Sequence, residues 1–174
     1  MLRPAVLVLG LVVVIGGCQK PMEEFTSKEW KFKAKFPGKP ETKQQAGPFN
    51  TKLNMFMTTA RDGGFMIGVA DMPIPEGESP AEVQARLDGS RDGAVSNIGG
   101  TLQSSSSVTL QGKYPGREFT AKLPPPPKGP KEGIVRAKIY LVGKRLYQIM
   151  AIGTTSFATS PSANEFLESF QVTE

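Results

Sequence analysis

The chain has 174 residues, with 21 lysines and arginines against 16 acidic residues, one cysteine and no histidine. The missing histidine excludes Ser-His-Asp and Cys-His mechanisms, imidazole acid–base work and nearly all zinc sites, and a single cysteine excludes an internal disulfide. The formal charge of +5 is spread along the chain rather than gathered in a basic helix or module, which argues against nucleic acid as a partner.

The first stretch carries an address. Arg3 supplies a positive start, residues 5–15 form a short apolar run, and Ile15, Gly16 and Gly17 precede Cys18 as an aliphatic and two small residues precede the cysteine of a bacterial lipobox. Lipid attached to the Cys18 thiol and cleavage between Gly17 and Cys18 are expected. A membrane span needs about 20 apolar residues, and this run is shorter and closes in Gly-Gly. The expected organisation is therefore a signal peptide over 1–17, a polar tether over 18–27 and a single domain over 28–174. No aspartate follows Cys18, so the outer membrane, facing the periplasm, is the favoured location in a two-membrane cell.

Trp30, Phe32, Ala34 and Phe36 alternate with charged residues and predict a strand whose lysine row guards an open sheet edge. Residues 49–60 predict a second strand, with Phe49, Thr51, Leu53, Met55 and Met57 on one face and Asn50, Lys52, Asn54 and Phe56 on the other. A turn at 61–64 leads to a third strand through Phe65, Ile67 and Val69, ending at Met72 and Pro73. The methionines 55, 57, 66 and 72 suit either a core or an adaptable apolar pocket.

Ser79, Pro80 and Glu82 spell a helix start with a capping box. Val83, Leu87, Ser90, Ala94 and Ile98 then repeat at helical spacing, and Gly99-Gly100 stops the helix. Gly89 and Gly93 weaken it by about 1 kcal/mol each relative to alanine, which implies close approach to a neighbour or a break. Arg86, Asp88, Arg91 and Asp92 are expected as solvated ion pairs on its outer face.

Residues 101–110 form a serine-rich strand near an edge, with Leu102, Ser104, Ser106, Val108 and Leu110 facing inward. Residues 114–123 form another, in which Arg117 shares the apolar side with Phe119 and Ala121. An arginine there must be paired, so Glu118 or a helix carboxylate is expected beside it, and Arg117 is the candidate for a binding residue or a structural ion pair. Four prolines from Pro124 predict a stiff polyproline loop. Residues 134–154 give the strongest strand pair, apolar on both faces and therefore central. A loop over 154–160 and a terminal helix capped at Ser162 complete the chain. The pattern is α+β: an antiparallel sheet of about six or seven strands flanked by two main helices.

The runs Phe36 to Glu41 (FPGKPE), Leu87 to Ala94 (LDGSRDGA), Tyr114 to Phe119 (YPGREF) and Tyr140 to Tyr147 (YLVGKRLY), in this order of elements, resemble uncharacterised bacterial lipoproteins of the PsbP-like and DcrB-like group. The resemblance implies a PsbP-like sandwich and a non-enzymatic assembly or binding role. It carries over no catalytic residue.

The P-loop, dinucleotide, nucleophile-elbow, Ser-x-x-Lys and EF-hand motifs are absent. No catalytic residue, metal ligand or cofactor is expected. The sequence favours a lipid-anchored envelope protein, not an enzyme, contacting membrane lipid through acylated Cys18 and an envelope protein partner. The alternative is a carrier of a small apolar ligand held between helix and sheet.

Overall fold

The computed structural model describes residues 21–47, 51–125 and 133–174. Gly17 and Cys18, the start of the strand expected over 49–60, and the proline loop beyond Pro125 lie outside them. The architecture is α+β, as the pattern implied. Seven antiparallel strands form one sheet in the order β3 (Glu41–Ala46), β4 (Lys52–Ala60), β5 (Gly63–Asp71), β9 (Arg145–Thr154), β8 (Gly133–Val142), β7 (Tyr114–Lys122) and β6 (Thr101–Leu110). A smaller sheet of β1 (Glu23–Ser27), β2 (Phe32–Phe36) and β10 (Gln171–Val172) packs over one face together with helix α3 (Pro161–Ser169). Helix α1 (Pro80–Asn97) lies on the other face, and the short α2 (Thr155–Ala158) follows β9.

Period-two alternation in the large sheet feeds two cores. Phe65, Ile67, Val69, Tyr147 and Ile149 point toward the small sheet, where they meet Phe32, Phe36, Phe166 and Phe170. Val135, Ala137, Ile139, Phe119 and Ala121 point the other way and meet Leu87, Ala94 and Val95 of α1. Strands β8 and β9 are thus apolar on both faces because both are covered, as expected for central strands.

Several expectations are corrected. Glu23–Ser27, placed in the tether, forms β1, which pairs with β2 along its whole length. Strand β2 is consequently the middle of its sheet, and its lysines pair instead of guarding an edge: Lys33 with Glu24 at 3.3 Å and Lys35 with Glu165 at 2.7 Å. In β4, whose two faces the pattern left unassigned, the closed-core side belongs to Phe56 and Asn54, while Leu53, Met55 and Met57 are half-buried on the α1 side. Helix α3 is capped by Ser160, not Ser162: the Ser160 hydroxyl accepts from the Ala163 N–H, with Pro161 at the first turn. Edge strand β6 carries a bulge between Leu102 and Ser104, and of the residues expected inward Leu102, Ser104 and Ser106 are exposed, while Val108 and Leu110 reach the core.

Candidate functional site

Helix α1 begins as its sequence dictates. The Ser79 hydroxyl accepts from the Glu82 N–H while the Glu82 carboxylate accepts from the Ser79 N–H at 2.7 Å, closing the capping box. The Ser79 hydroxyl, which also donates to the Glu82 carboxylate at 2.7 Å, and then the Ser79 N–H hold the Glu82 carboxyl below its usual range. The helix runs unbroken to Asn97 and packs on β6, β7 and β8. What fixes it sideways is Arg117. The guanidinium reaches from β7 to donate to both carboxylate oxygens of Asp88, at 2.7 and 3.1 Å, to Ser107 Oγ at 2.7 Å and to Gln84 Oε1. Arg91 adds a second clamp to Asp88 at 2.8 Å and to Ser105 Oγ at 3.1 Å. Hydrogen bonds from Arg117, with the charge of both arginines, hold the Asp88 carboxyl below its ordinary range.

Arg117 is therefore an internal tie between sheet and helix. Its forked donors are met bidentately, as the guanidinium of a residue only 9% exposed requires, and the partner is a helix carboxylate, one of the two kinds the sequence pointed to. The expected solvated cluster is revised accordingly: Asp88 and Arg91 join helix to sheet instead of standing on an outer face.

Because α1 sits over the β6–β8 half, the β4–β5–β9 half of that face is left partly open. Between them lies a cleft of about 400 Å³. Its floor is Leu53, Gly68, Ala70, Leu146 and Gln148, closed at one end by Met72; its wall is the Arg86, Gly89, Ser90, Gly93, Ala94 and Asn97 side of α1. The strand register explains the floor: Gly68 stands opposite Gln148 and Ala70 opposite Leu146, so small residues of β5 border longer ones of β9. Beyond it Met57, Met66 and Met150 align across β4, β5 and β9 as one row.

The two helix glycines reverse an expectation. A Cβ added at Gly89 or Gly93 would meet nothing within 4 Å, so neither serves close approach and the helix does not break there. They leave room in the wall. Elsewhere glycine does serve contact: a Cβ at Gly116 would strike the Ile139 carbonyl and the Tyr140 ring, and one at Gly153 would strike the Gly63 backbone.

The lining is apolar with few polar groups. Arg86, its only charged residue, is already paired through Nε to Glu78 at 3.3 Å and through Nη2 to the same carboxylate. Gln148, half-buried in mid-floor, has no side-chain hydrogen bond to any described residue, and neither do Ser90 and Asn97. Sequence reasoning passed over Gln148, although a signal was present: it interrupts the apolar face of β9 between Leu146 and Met150.

Two further concavities are more polar. In one, of about 460 Å³, Arg145 is held by Asp71 at 2.7 and 3.0 Å and lies 5.0 Å from the Trp30 ring centre. In the other, of about 430 Å³, the buried Lys138 is held by Glu168 at 2.6 Å. Among the described residues no group of three potential metal ligands occurs, and no helix is long and apolar enough to cross a membrane.

No family model matches the chain, and no curated protein does. Among solved structures, the solution structure of the cyanobacterial PsbP protein CyanoP from Synechocystis sp. PCC 6803 matches with a TM-score of 0.57 at 10% identity, covering 94% of this chain and 98% of that one. A Pseudomonas aeruginosa protein of unknown function, PA94, matches at a TM-score of 0.41 and 9% identity over 79% of this chain and 85% of its own. At such identities the likeness extends to the fold, and the fold of this chain is PsbP-like.

Proposed function

We propose that the chain is a lipid-anchored protein of the bacterial envelope whose domain is a non-catalytic binding module, with the cleft between α1 and the large sheet as its binding element. The observation that carries the binding role is that cleft: about 400 Å³, within the span of small-molecule sites, apolar, and bounded by a helix whose own clamp fixes its position. A filled helix–sheet interface would have favoured pure scaffolding; the open one favours the carrier alternative.

The anchor is supported by Cys18 and the small residues before it. Placed in the outer membrane facing the periplasm, the domain would hold its ligand or an envelope partner close to the lipid surface. Growth with labelled palmitate tests the anchor: label on the wild type and none on Cys18→Ala is expected, and equal label on both would refute it. For the cleft, protein isolated from envelopes and extracted with organic solvent should release a bound small molecule that Gly93→Leu does not retain. Extracts in which neither protein releases one, or both release it alike, would refute the binding role.

A further inference from the structure

We infer that the cleft takes a neutral, mainly apolar small molecule bearing one hydrogen-bonding group of amide, carbonyl, hydroxyl or amine type, which Gln148 meets at the floor. The inference rests on the cleft being a binding element and names the class of its ligand. Three features lead to it.

The first is charge. Arg86 is the only charged residue in the lining and Glu78 already neutralises it. An ionised ligand entering the cleft would lose hydration without gaining a free counter-charge, whereas a neutral one would lose little.

The second is the amide of Gln148. It stands half-buried among Leu146, Met150 and Ala70 with its donors and acceptor uncommitted, and across from it Gly68 contributes no side chain that could satisfy it. A polar group on an otherwise apolar ligand would complete it, and this is the usual division of labour in small-molecule sites: apolar surface for affinity, a few placed polar groups for orientation.

The third is room. Gly89 and Gly93 withhold side chains from the wall where a Cβ would touch nothing, so the cleft is wide enough for a ring or a bundle of methylenes. The adjoining Met57–Met66–Met150 row extends the apolar floor with side chains that adapt to shape.

Two dyes with one ring skeleton isolate the charge. N-phenyl-1-naphthylamine is neutral with a single N–H, and 8-anilinonaphthalene-1-sulfonate is the same framework with a sulfonate. Fluorescence titrations use the mature chain from Gln19 onward, without the lipid-bearing Cys18 and the apolar run before it, which removes the need for detergent and its dye uptake; every described element lies within it. Saturable one-site binding of the neutral dye is expected, with binding of the sulfonate weaker by about 10-fold or more. Gly93→Leu should weaken the neutral dye by a similar factor, and Gln148→Leu by about 3- to 10-fold, the worth of one hydrogen bond. Circular dichroism verifies that each variant is folded, and Gly89→Leu replaces Gly93→Leu should the latter fail. If neither dye binds, or if neither glycine variant affects binding, the cleft is not a binding element. If both dyes bind alike and a glycine variant removes both, the cleft stands and the neutral ligand class is refuted.

Discussion

Replacing Gly89 and Gly93 together by alanine should make the protein more stable, although nothing new is touched. Both positions are exposed on α1, neither has a positive φ, and a Cβ at either meets no atom within 4 Å. Nothing in the native state therefore opposes the change, while each alanine removes the backbone entropy cost of a helix-interior glycine, about 0.5–1 kcal/mol. Together the gain is about 1–2 kcal/mol, or about 2–8 °C in melting temperature for a domain of this size. Urea denaturation followed by far-ultraviolet circular dichroism measures it as a rise in midpoint at constant slope. A fall in midpoint would mean that the helix lies closer to β5 and β9 than described and uses these glycines for contact. The cleft would then be closed, and its role as a binding element would be lost with it.

Gly116→Ala should do the opposite and destabilise by about 1–3 kcal/mol in the same assay, because its Cβ meets the Ile139 backbone as well as the Tyr140 ring. Arg117→Met should cost about 2–4 kcal/mol, less than a fully buried pair because Asp88 is 38% exposed and can be rehydrated; Arg117→Lys should recover little, since one ammonium cannot span both carboxylate oxygens, Gln84 and Ser107. Burial pushes the Tyr140 phenol up to about 12, with Glu168 and Glu118 adding to the shift. The folded state therefore favours the neutral phenol: its stabilising contribution is intact below the unfolded value of about 10 and is lost as pH rises toward 12. Urea midpoints should fall between pH 9.5 and about 11.5 more steeply for the wild type than for Tyr140→Phe, and parallel curves would contradict the assignment.

Much of this fold was legible because amphipathic patterns and caps are local. The Ser79–Glu82 box, the β8–β9 pair and the alternation in β2 each specify an element without outside help. What escaped depends on neighbours. Strand β3 reads Glu-Thr-Lys-Gln-Gln-Ala and is exposed throughout, so it buries no face that a pattern could reveal; the ladder offered by β4 makes it a strand. Strand β1 carries one apolar residue, Phe25, and forms against β2. In β4 both alternating sets are apolar enough to face a core, and only the Phe32 and Phe25 rings packed on Phe56 settle which set does.

The candidate site divides in the same way. Arg117 announced itself, since an arginine on an apolar face must find a carboxylate, and Asp88 of α1 supplied it. The glycines of α1 announced something but not its sign: a helix glycine that admits a neighbour and one that keeps a space open look identical in sequence, and only the distance to β5 and β9 separates them. Gln148 was overlooked for a related reason. A single polar residue in a strand is ordinary until the structure leaves it without a hydrogen-bond partner on the floor of a cleft.

The most direct measurement is an amide chemical-shift map of the isotope-labelled chain titrated with N-phenyl-1-naphthylamine. Glycine amides resolve well, and three of them, Gly68, Gly89 and Gly93, line the cleft. Saturable shifts at these three and at the Gln148 amide and side chain, with Gly112 in the β6–β7 turn and Gly116 on β7 unmoved, are the predicted result. Shifts centred on β6 or the small sheet, or none at saturating dye, would contradict a binding cleft between α1 and the large sheet.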